Sequence, residues 1–359
     1  MAESTPAGAL VGPVEVIGVG LLGTSVALAC RRAGLEVLLS DVNPDHVRTA
    51  SGLGAGRAVR DGDRPQLIVV AVPPDLLGGV IAEALATSDA VVTDVGSVKS
   101  APLAAVAEVP GVERYVGSHP MAGTERSGPL SADATLFEGR PWAITTHPGA
   151  LPEAVELVRE LAELCGGVVL DLTPADHDRA VARISHVPHL MAALTAGRLA
   201  DAPASHMALS GPGVRDVTRV AGGDPNLYSQ IVGGNAEAVV ELLTQVRGEL
   251  DALIGAVTSG DRAELRRILS TGNAGTKAIP AKHGGVPVET GTLFVAIPDT
   301  PGSLARLFAD ADEIGVNIED VRIDHDPARE LGVLELQVAV DRLDGLAAAL
   351  DTRGWTTRR

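Results

Sequence analysis

Gly18, Gly20 and Gly23 in "VIGVGLLGTSVA" form a G-x-G-x-x-G run that follows a β-rich stretch and opens a helical one. In that setting the first glycine permits a tight turn and the second lets the backbone approach a pyrophosphate. The third lets the helix pack close to the strand, and the helix N-terminus offers N–H groups to the phosphates. "EVLLSD" places Asp41 at the end of the next β-rich run, where a carboxylate accepts from an adenosine ribose hydroxyl and repels a 2′-phosphate. Ser40 is small and neutral and no arginine follows until Arg48, so the pattern favours NAD over NADP. Leu22 within the motif and Val72 after "QLIVVA" complete the expected cofactor contacts.

A second group lies further along. "GSHPMAGTERSG" (117–128) carries His119, Thr124 and Glu125 among residues poorly suited to an apolar core, and "TDVGSVK" ends with Ser97 and Lys99. Both stretches follow β-rich runs, so Ser97 and His119 are expected at the carboxyl edge of one sheet, where open α/β sheets bind ligands. A hydroxyl and an imidazole can meet there beside a nicotinamide ring. Lys99 reads as a solvated residue at a helix start. In "ISHVPH", His186 and His189 stand at i and i+3 on one side of a helix. No carboxylate–histidine constellation accompanies them, so no metal site is expected. Arg215 and Asp216 read equally as a pocket pair or a helix-start ion pair. His46, His147, His206, His283 and His325 have no comparable context and read as surface residues.

The elements that must position these groups fall into successive regions. "VEVIGVG", "EVLLSD", "QLIVVAVP" and "AVVTDVGS" alternate with helical patterns, and their continuous valine-rich runs suit strands buried on both faces of a parallel sheet. "ERYVGS", "PWAITTH" and "GVVLDL" extend the series to residue 172. From "TPADHDRAVARISHVPHLMAALTAGRLA" to about residue 270 the patterns are helical, with apolar faces long enough to pack on a second subunit. "STGNAGTKAIPAKHGGVPVET" reads as a linker. The remainder follows the order strand, helix, strand, strand, helix, which suits a ferredoxin-like α+β sandwich. The expected architecture is α/β: a Rossmann-type NAD-binding domain (1–172), an all-helical substrate and dimerisation domain (173–285), and a ferredoxin-like domain (286–359).

Composition narrows the function classes. A length of 359 residues is too much for one ordinary core. A formal net charge of −17 and an aromatic content of 2% argue against a nucleic-acid partner, which needs a basic field and stacking platforms. An anionic substrate must then be held by locally placed arginines. No run approaches the roughly 20 apolar residues of a spanning helix, and "MAESTPAGALVGPVEV" does not read as a signal peptide. Cys30 and Cys165 read as reduced core thiols, and a cytoplasmic location is expected.

Taken in order, "GVGLLGTSVA", "DVGSVK", "GSHPMAGTERSG", "LFEGRPWAIT", "HDRAVARISHVPH" and "RDVTRVAGGDP" resemble the prephenate/arogenate dehydrogenase family of tyrosine biosynthesis, over roughly residues 14 to 285. The resemblance implies an oxidative decarboxylation. A cyclohexadienol loses hydride from the carbon bearing its hydroxyl, and the carboxylate opposite leaves as carbon dioxide. It implies that His119 accepts the hydrogen bond of the ring hydroxyl and that Ser97 orients His119 near the nicotinamide. Arg219 in "VTRVA" would hold a substrate carboxylate, with His189 near the substrate side chain. Glu125 and Thr124 would lie at or near the pocket mouth, and Arg215 is a further candidate for binding substrate. The family often has a glycine run where this chain reads "SGPGVRD", and Pro212 stiffens that loop.

The C-terminal "IPDTPGSLARLFADADEIGVNIEDV" resembles an ACT domain. That likeness implies that tyrosine or phenylalanine binds near Asp299, Gly302 and Asn317. The leading expectation is NAD-dependent conversion of prephenate to 4-hydroxyphenylpyruvate by a homodimer, with arogenate to tyrosine as the alternative. A β-hydroxyacid-type dehydrogenase is expected to use a lysine base on a helix of the second domain, where this chain has none before Lys277. An amino-acid sensor with a degenerate NAD domain is countered by the intact glycine spacing, Asp41, His119 and Arg219.

Overall fold

The computed structural model describes residues 9–123, 127–279, 290–326 and 331–359. Thr124, Glu125 and His283 lie outside the described residues, as does the boundary expected at 285. The chain forms two compact units, Met1–Gly255 and Ala256–Arg359.

The first unit is built on an eight-stranded sheet. Its strands are β1 (Val14–Ile17), β2 (Val37–Ser40), β3 (Arg57–Ala58), β4 (Leu67–Val70), β5 (Val91–Asp94), β6 (Tyr115–Pro120), β7 (Pro141–Thr145) and β8 (Val168–Leu172), in the order β3-β2-β1-β4-β5-β6-β7-β8. Neighbours run parallel except β6 and β7, which are antiparallel. The order reverses between β1 and β4, the switch point at which Rossmann-type sheets take a dinucleotide. Every residue of "LIVV" in β4 is buried, as two-sided coverage demands. That coverage comes from α1 (Leu21–Arg32), α2 (Pro44–Gly52), α3 (Pro74–Thr87), α4 (Ser100–Val106) and α5 (Pro152–Leu164). One face of α5 buries Ala154, Leu157, Val158, Leu161 and Ala162, an i, i+3, i+4 stripe. The antiparallel β7 is not legible in a valine-rich run, because strand direction is set by the long connection before it.

Helices follow β8: α6 (Pro174–Val181), α7 (Val187–Gly197), α8 (Ala204–Met207), α9 (Pro212–Thr218), α10 (Pro225–Gly234) and α11 (Ala236–Ser259). Thr173 caps α6 by accepting from the Asp176 N–H. Between α6 and α7 the helix widens into a π turn, Ala182–His186. Pro188 supplies the cause: it has no N–H to donate and its ring crowds the carbonyl four residues back.

In the second unit α12 (Arg262–Lys277) precedes β9 (Thr290–Pro298), α13 (Ser303–Ile314), β10 (Asp320–Asp326), β11 (Leu331–Ala339), α14 (Val340–Thr352) and β12 (Thr356–Arg358). The strands form one antiparallel sheet in the order β10-β11-β9-β12. Its core gathers Leu293, Val295, Leu307, Leu334, Leu336 and Leu350. The linker begins later than the glycines and hydroxyls of "STGNAGTK" suggest, because α12 carries through them. Asp261 accepts from the N–H groups of Ala263 and Glu264, and Glu264 pairs with Arg267, so the helix is well started.

Candidate active site

At the switch point the glycine run has the shape its spacing implies. Gly18 has φ +94°, and a Cβ there would stand 2.5 Å from the Ala71 carbonyl oxygen. A Cβ on Gly23 would stand 2.0 Å from the Gly18 carbonyl oxygen, so only glycine lets α1 lie this close to the strand end. Gly20 differs: a Cβ there meets nothing within 4 Å. Its space is open, as the approach of a pyrophosphate requires. No side chain caps the N-terminus of α1. Leu22 is half-buried against the core, and Val72 borders the turn, its Cγ1 3.0 Å from the Cβ position of Gly18. Asp41 follows β2 with one oxygen accepting from Val19 N–H at 2.8 Å and the other from Asn43 N–H at 2.8 Å. A carboxylate so held keeps lone pairs for a ribose hydroxyl. These residues fit NAD.

His119 is positioned by strand register. The last β5–β6 pair is Asp94 with Gly117, so Ser118, His119 and Pro120 run past the end of β5. His119 pairs with Ala143 of β7 on its other side and is 9% exposed. Its Nδ1 lies 2.9 Å from Nε2 of His177 on α6, and the two rings meet edge-on. Nδ1 of His177 lies 2.9 Å from Oδ1 of Asp178. That carboxylate also accepts from the Lys99 N–H at 2.9 Å and the Ser100 N–H at 2.8 Å, which ties α6 to the start of α4. Burial opposes ionisation of Asp178. The hydrogen bonds from His177, Ser100 and Lys99 outweigh it and hold its carboxyl below the usual range. Burial, followed by the unfavourable interaction of a charged ring with His177, Lys99 and His186, holds His119 well below an ordinary imidazole, so it is neutral at pH 7.

Beneath His119 sits a buried polar cluster. Lys99 is 1% exposed; its Nζ pairs with Asp94 and donates to the Ser118 carbonyl at 2.6 Å. Tyr115 donates its hydroxyl to Asp94 at 2.8 Å. The solvated helix-start reading of Lys99 is therefore corrected: it turns inward because Asp94, a few residues earlier on β5, supplies a counter-ion inside. His147 is also buried rather than superficial, at 9% exposure, with Nε2 within hydrogen-bond reach of the Val112 and Tyr115 carbonyls. Ser97 lies half-buried in the bend after β5, and no hydrogen bond joins it to His119 among the described residues.

The helical wall contributes the remaining groups. His186 and His189 are buried, and Nε2 of the first and Nδ1 of the second have no protein partner among the described residues. Buried polar atoms of this kind are ordinarily satisfied by a ligand or water. Asn235 Nδ2 donates to the Asp178 carbonyl at 2.7 Å and reaches His186 Nδ1 at 3.2 Å. Burial depresses the His186 pKa to about 4, with Asp178 opposing. His189 stacks on Tyr228 with ring centroids 3.4 Å apart. A Cβ on Gly223 would stand 2.9 Å from Tyr228 and 3.2 Å from His189, so the turn Arg219–Gly222 closes directly on that stack. Arg219 opens this turn and is exposed, as is Arg215 on α9. Among the described residues no cluster of three or more His, Cys, Asp or Glu is placed to hold a metal ion.

Sequence reasoning did not single out His177, Asp178 or Asn235. The adjacent His-Asp in "ADHDRAV" looks like an acidic first turn of a helix, and only the docking of α6 against β6 gives the pair its partner. In the second unit, Asp299 lies after β9, Gly302 precedes α13, and Asn317 Nδ2 donates to Glu319 at 2.7 Å.

Residues 26–171 match the nucleotide-binding domain of prephenate dehydrogenase, and residues 173–271 match the prephenate dehydrogenase dimerization domain. The chain is 31% identical to the probable prephenate dehydrogenase NovF of Streptomyces niveus, covering 95% of this chain and 98% of that protein. Among solved structures it is similar to prephenate dehydrogenase from A. aeolicus in complex with hydroxyphenyl propionate and NAD+. That match has a TM-score of 0.68 and 28% identity, over 74% of this chain and 98% of that one. Synechocystis arogenate dehydrogenase is similar with a TM-score of 0.63 and 30% identity, again over 74% and 98%. With the glycine turn, the buried imidazole at the sheet edge and matches running through both halves of the first unit, the chain belongs to the prephenate dehydrogenase family.

Proposed function

We propose that His119 is the group that takes the hydroxyl proton in an NAD-dependent oxidative decarboxylation of prephenate. The chain is an NAD-dependent oxidoreductase of tyrosine biosynthesis, acting on prephenate or arogenate. The observation that carries the assignment is the placement of His119: a neutral, nearly enclosed imidazole just past β5, with Nδ1 tied down at 2.9 Å. Its other nitrogen can then accept from the ring hydroxyl. Bound at the glycine turn, NAD supplies the hydride acceptor. Gly18, Gly20, Leu22, Gly23, Asp41, Val72 and Ser97 hold it and exclude water from one face of the substrate. Arg219 holds a substrate carboxylate with two parallel bonds, supported by His189, Arg215, Thr124 and Glu125. The unpartnered buried nitrogens of His186 and His189 favour this wall as the substrate side.

Prephenate is preferred because relatives matched over nearly their whole length are named for it. Arogenate is the second reading, carried by the arogenate dehydrogenase among the structural neighbours. The β-hydroxyacid alternative needs a free lysine base, and the nearest lysine to the site, Lys99, is locked to Asp94. NADH production with prephenate and arogenate, each against NAD and NADP, tests the assignment; no turnover with either substrate sinks it.

The domain plan we propose is an NAD-binding domain over 1–172, a helical substrate and dimerisation domain over 173–285, and an ACT domain over 286–359. The βαββαβ order and strand order of the second unit support a ferredoxin-like, ACT-type reading. A tyrosine or phenylalanine effector would bind near Asp299, Gly302 and Asn317. A chain ended near residue 285 that kept the full amino-acid response would overturn this. The protein acts as a homodimer through the helical domain. Exposed Leu194 on α7 and Val240, Leu250 and Ile254 on α11 support that reading. No described helix is long and apolar enough to cross a membrane; a cytoplasmic location fits the biosynthetic role.

A further inference from the structure

We propose that Asp178 and His177 are positioning residues that fix the tautomer of His119, leaving its Nε2 bare toward the substrate. The inference deepens the role given to His119 above and rests on it. Asp178 is ionised, so both its oxygens only accept. One takes the Ser100 N–H and the other takes the Lys99 N–H together with His177 Nδ1. His177 Nδ1 therefore carries a hydrogen. With His177 neutral, its Nε2 has a lone pair and no hydrogen, and the atom facing it at 2.9 Å is His119 Nδ1. One of two contacting nitrogens must donate, so His119 carries its hydrogen on Nδ1. Its Nε2 is then the basic atom, and among the described residues it has no protein hydrogen bond.

The chain of bonds does a second thing. When the ring hydroxyl gives its proton to Nε2, His119 becomes a cation in a buried place. Lys99 Nζ, His177 and His186 all disfavour charge there. Asp178 is the nearby anion able to offset it, acting through His177, because Asp94 is already engaged by Lys99 and Tyr115. His119 holds the proton while the hydride leaves the ring carbon for the acceptor that bound NAD would supply and the ring–carboxylate bond breaks to release carbon dioxide. The proton then returns to the ring oxygen, giving the phenol and a neutral His119. No further redox partner is needed. Asp178 and His177 touch neither substrate nor cofactor in this scheme. Their peptide and carboxylate bonds to Lys99, Ser100 and Asn235 also fix where the relay lies relative to β6.

Long-range 1H–15N correlation spectra of the full chain labelled at histidine read the tautomer directly, with no substrate or cofactor present. His119→Asn identifies the signal among the nine histidines. A hydrogen on Nδ1 of His119 at neutral pH is the expected result; a hydrogen on Nε2 overturns the proposal even if the enzyme turns over prephenate. Failure of the activity assignment would leave this spectrum unchanged, so the two can fail separately. In kinetics, Asp178→Asn should lower kcat on the order of 10²–10⁴-fold with KM for the substrate little changed. The upper end is what the corresponding Asp→Asn change costs in a serine protease. A second pair guards against misfolding. His177→Gln keeps a carbonyl to accept from His119 Nδ1 and should retain the Nδ1–H tautomer and more of kcat than His177→Phe. A purely packing role makes the two variants equal, and equal kcat with unchanged pH profiles would overturn the relay.

Discussion

Replacing Gly20 by alanine should separate cofactor binding from folding. Gly20 has φ −75°, open to any L-residue, and an added methyl meets no protein atom within 4 Å. Without nucleotide the variant should melt within about 2 °C of the wild type, as a substitution that touches nothing does. The methyl instead occupies the space through which the pyrophosphate reaches the N-terminus of α1. Forcing one methyl into a filled contact costs about 1–3 kcal/mol, which weakens NAD binding roughly 5–150-fold. Gly23→Ala is the contrasting case, because its methyl would stand 2.0 Å from the Gly18 carbonyl oxygen inside the protein itself. The same cost then falls on folding, lowering Tm by roughly 2–12 °C, and NAD binding falls with it. Calorimetric titration with NAD and thermal melts of the cofactor-free proteins read both quantities. A Gly20→Ala protein that binds NAD as tightly as the wild type would refute this role for Gly20. So would a Gly20→Ala protein that melts as early as Gly23→Ala.

Further expectations concern the chemical edge. His119→Asn should lose about 10²–10⁴-fold in kcat while substrate binding persists; a kcat near wild type would remove it from the mechanism. Stability should decline on acidification from about pH 6.5 toward pH 4. His186 has its folded pKa depressed to about 4, so the unfolded chain binds more protons across that window and the stabilisation is complete only above it. Its share is at most about 3 kcal/mol, and His186→Asn should flatten the slope of denaturation midpoint against pH. Lys99→Met should cost about 3–5 kcal/mol in urea unfolding, since it leaves the Asp94 carboxylate buried without its counter-ion, held by the Tyr115 hydroxyl and the Gly96 N–H. A loss under about 1 kcal/mol would mean that water or a rearranged partner reaches Asp94.

What the sequence discloses about this fold divides along a physical line. Elements whose signal is local are legible: the glycine turn and Asp41 stand where their spacing places them, and β8 ends at Leu172 where the α/β alternation stops. His119 reaches the sheet edge because a strand carries it there. Features created by docking are not legible. Lys99 next to a helix start looks like a solvated cation until Asp94 and the Ser118 carbonyl are seen to face it from inside. His147 looks like a loop residue until two carbonyls of the β6 approach are found around its ring. His177 and Asp178 open the motif "HDRAVARISHVPH", yet its local pattern gives only an acidic first turn, and their role shows when α6 docks on β6. The extension of α12 to Lys277 overrides two glycines because capping at Asp261 and the Glu264–Arg267 pair act at its other end.

The buried Lys99–Asp94–Tyr115 cluster then has a reason beyond stability. A buried ion pair is weakly stabilising at best compared with apolar side chains of the same volume, so its worth must lie in what it fixes. Lys99 donates to the carbonyl of Ser118, the residue just before His119, and Ser118 donates its hydroxyl to the Asp94 carbonyl at 2.8 Å. The peptide that presents the imidazole is thereby clamped to β5 from its own side of the sheet. From the other side, Asp178 grips the Lys99 and Ser100 N–H groups and reaches His119 through His177. Lys99 thus belongs to both clamps: its side chain holds the strand and its backbone holds the helix that carries the relay. An apolar residue could fill the volume but could make neither set of bonds. Arginine offers a planar fork where a compact ammonium is enclosed, so Lys99→Arg should misplace His119 even with charge conserved. The expected signature is a fall in kcat larger than the fall in stability, measured on the same preparation by steady-state kinetics and urea unfolding. A variant losing stability but keeping kcat would show that the cluster serves folding alone.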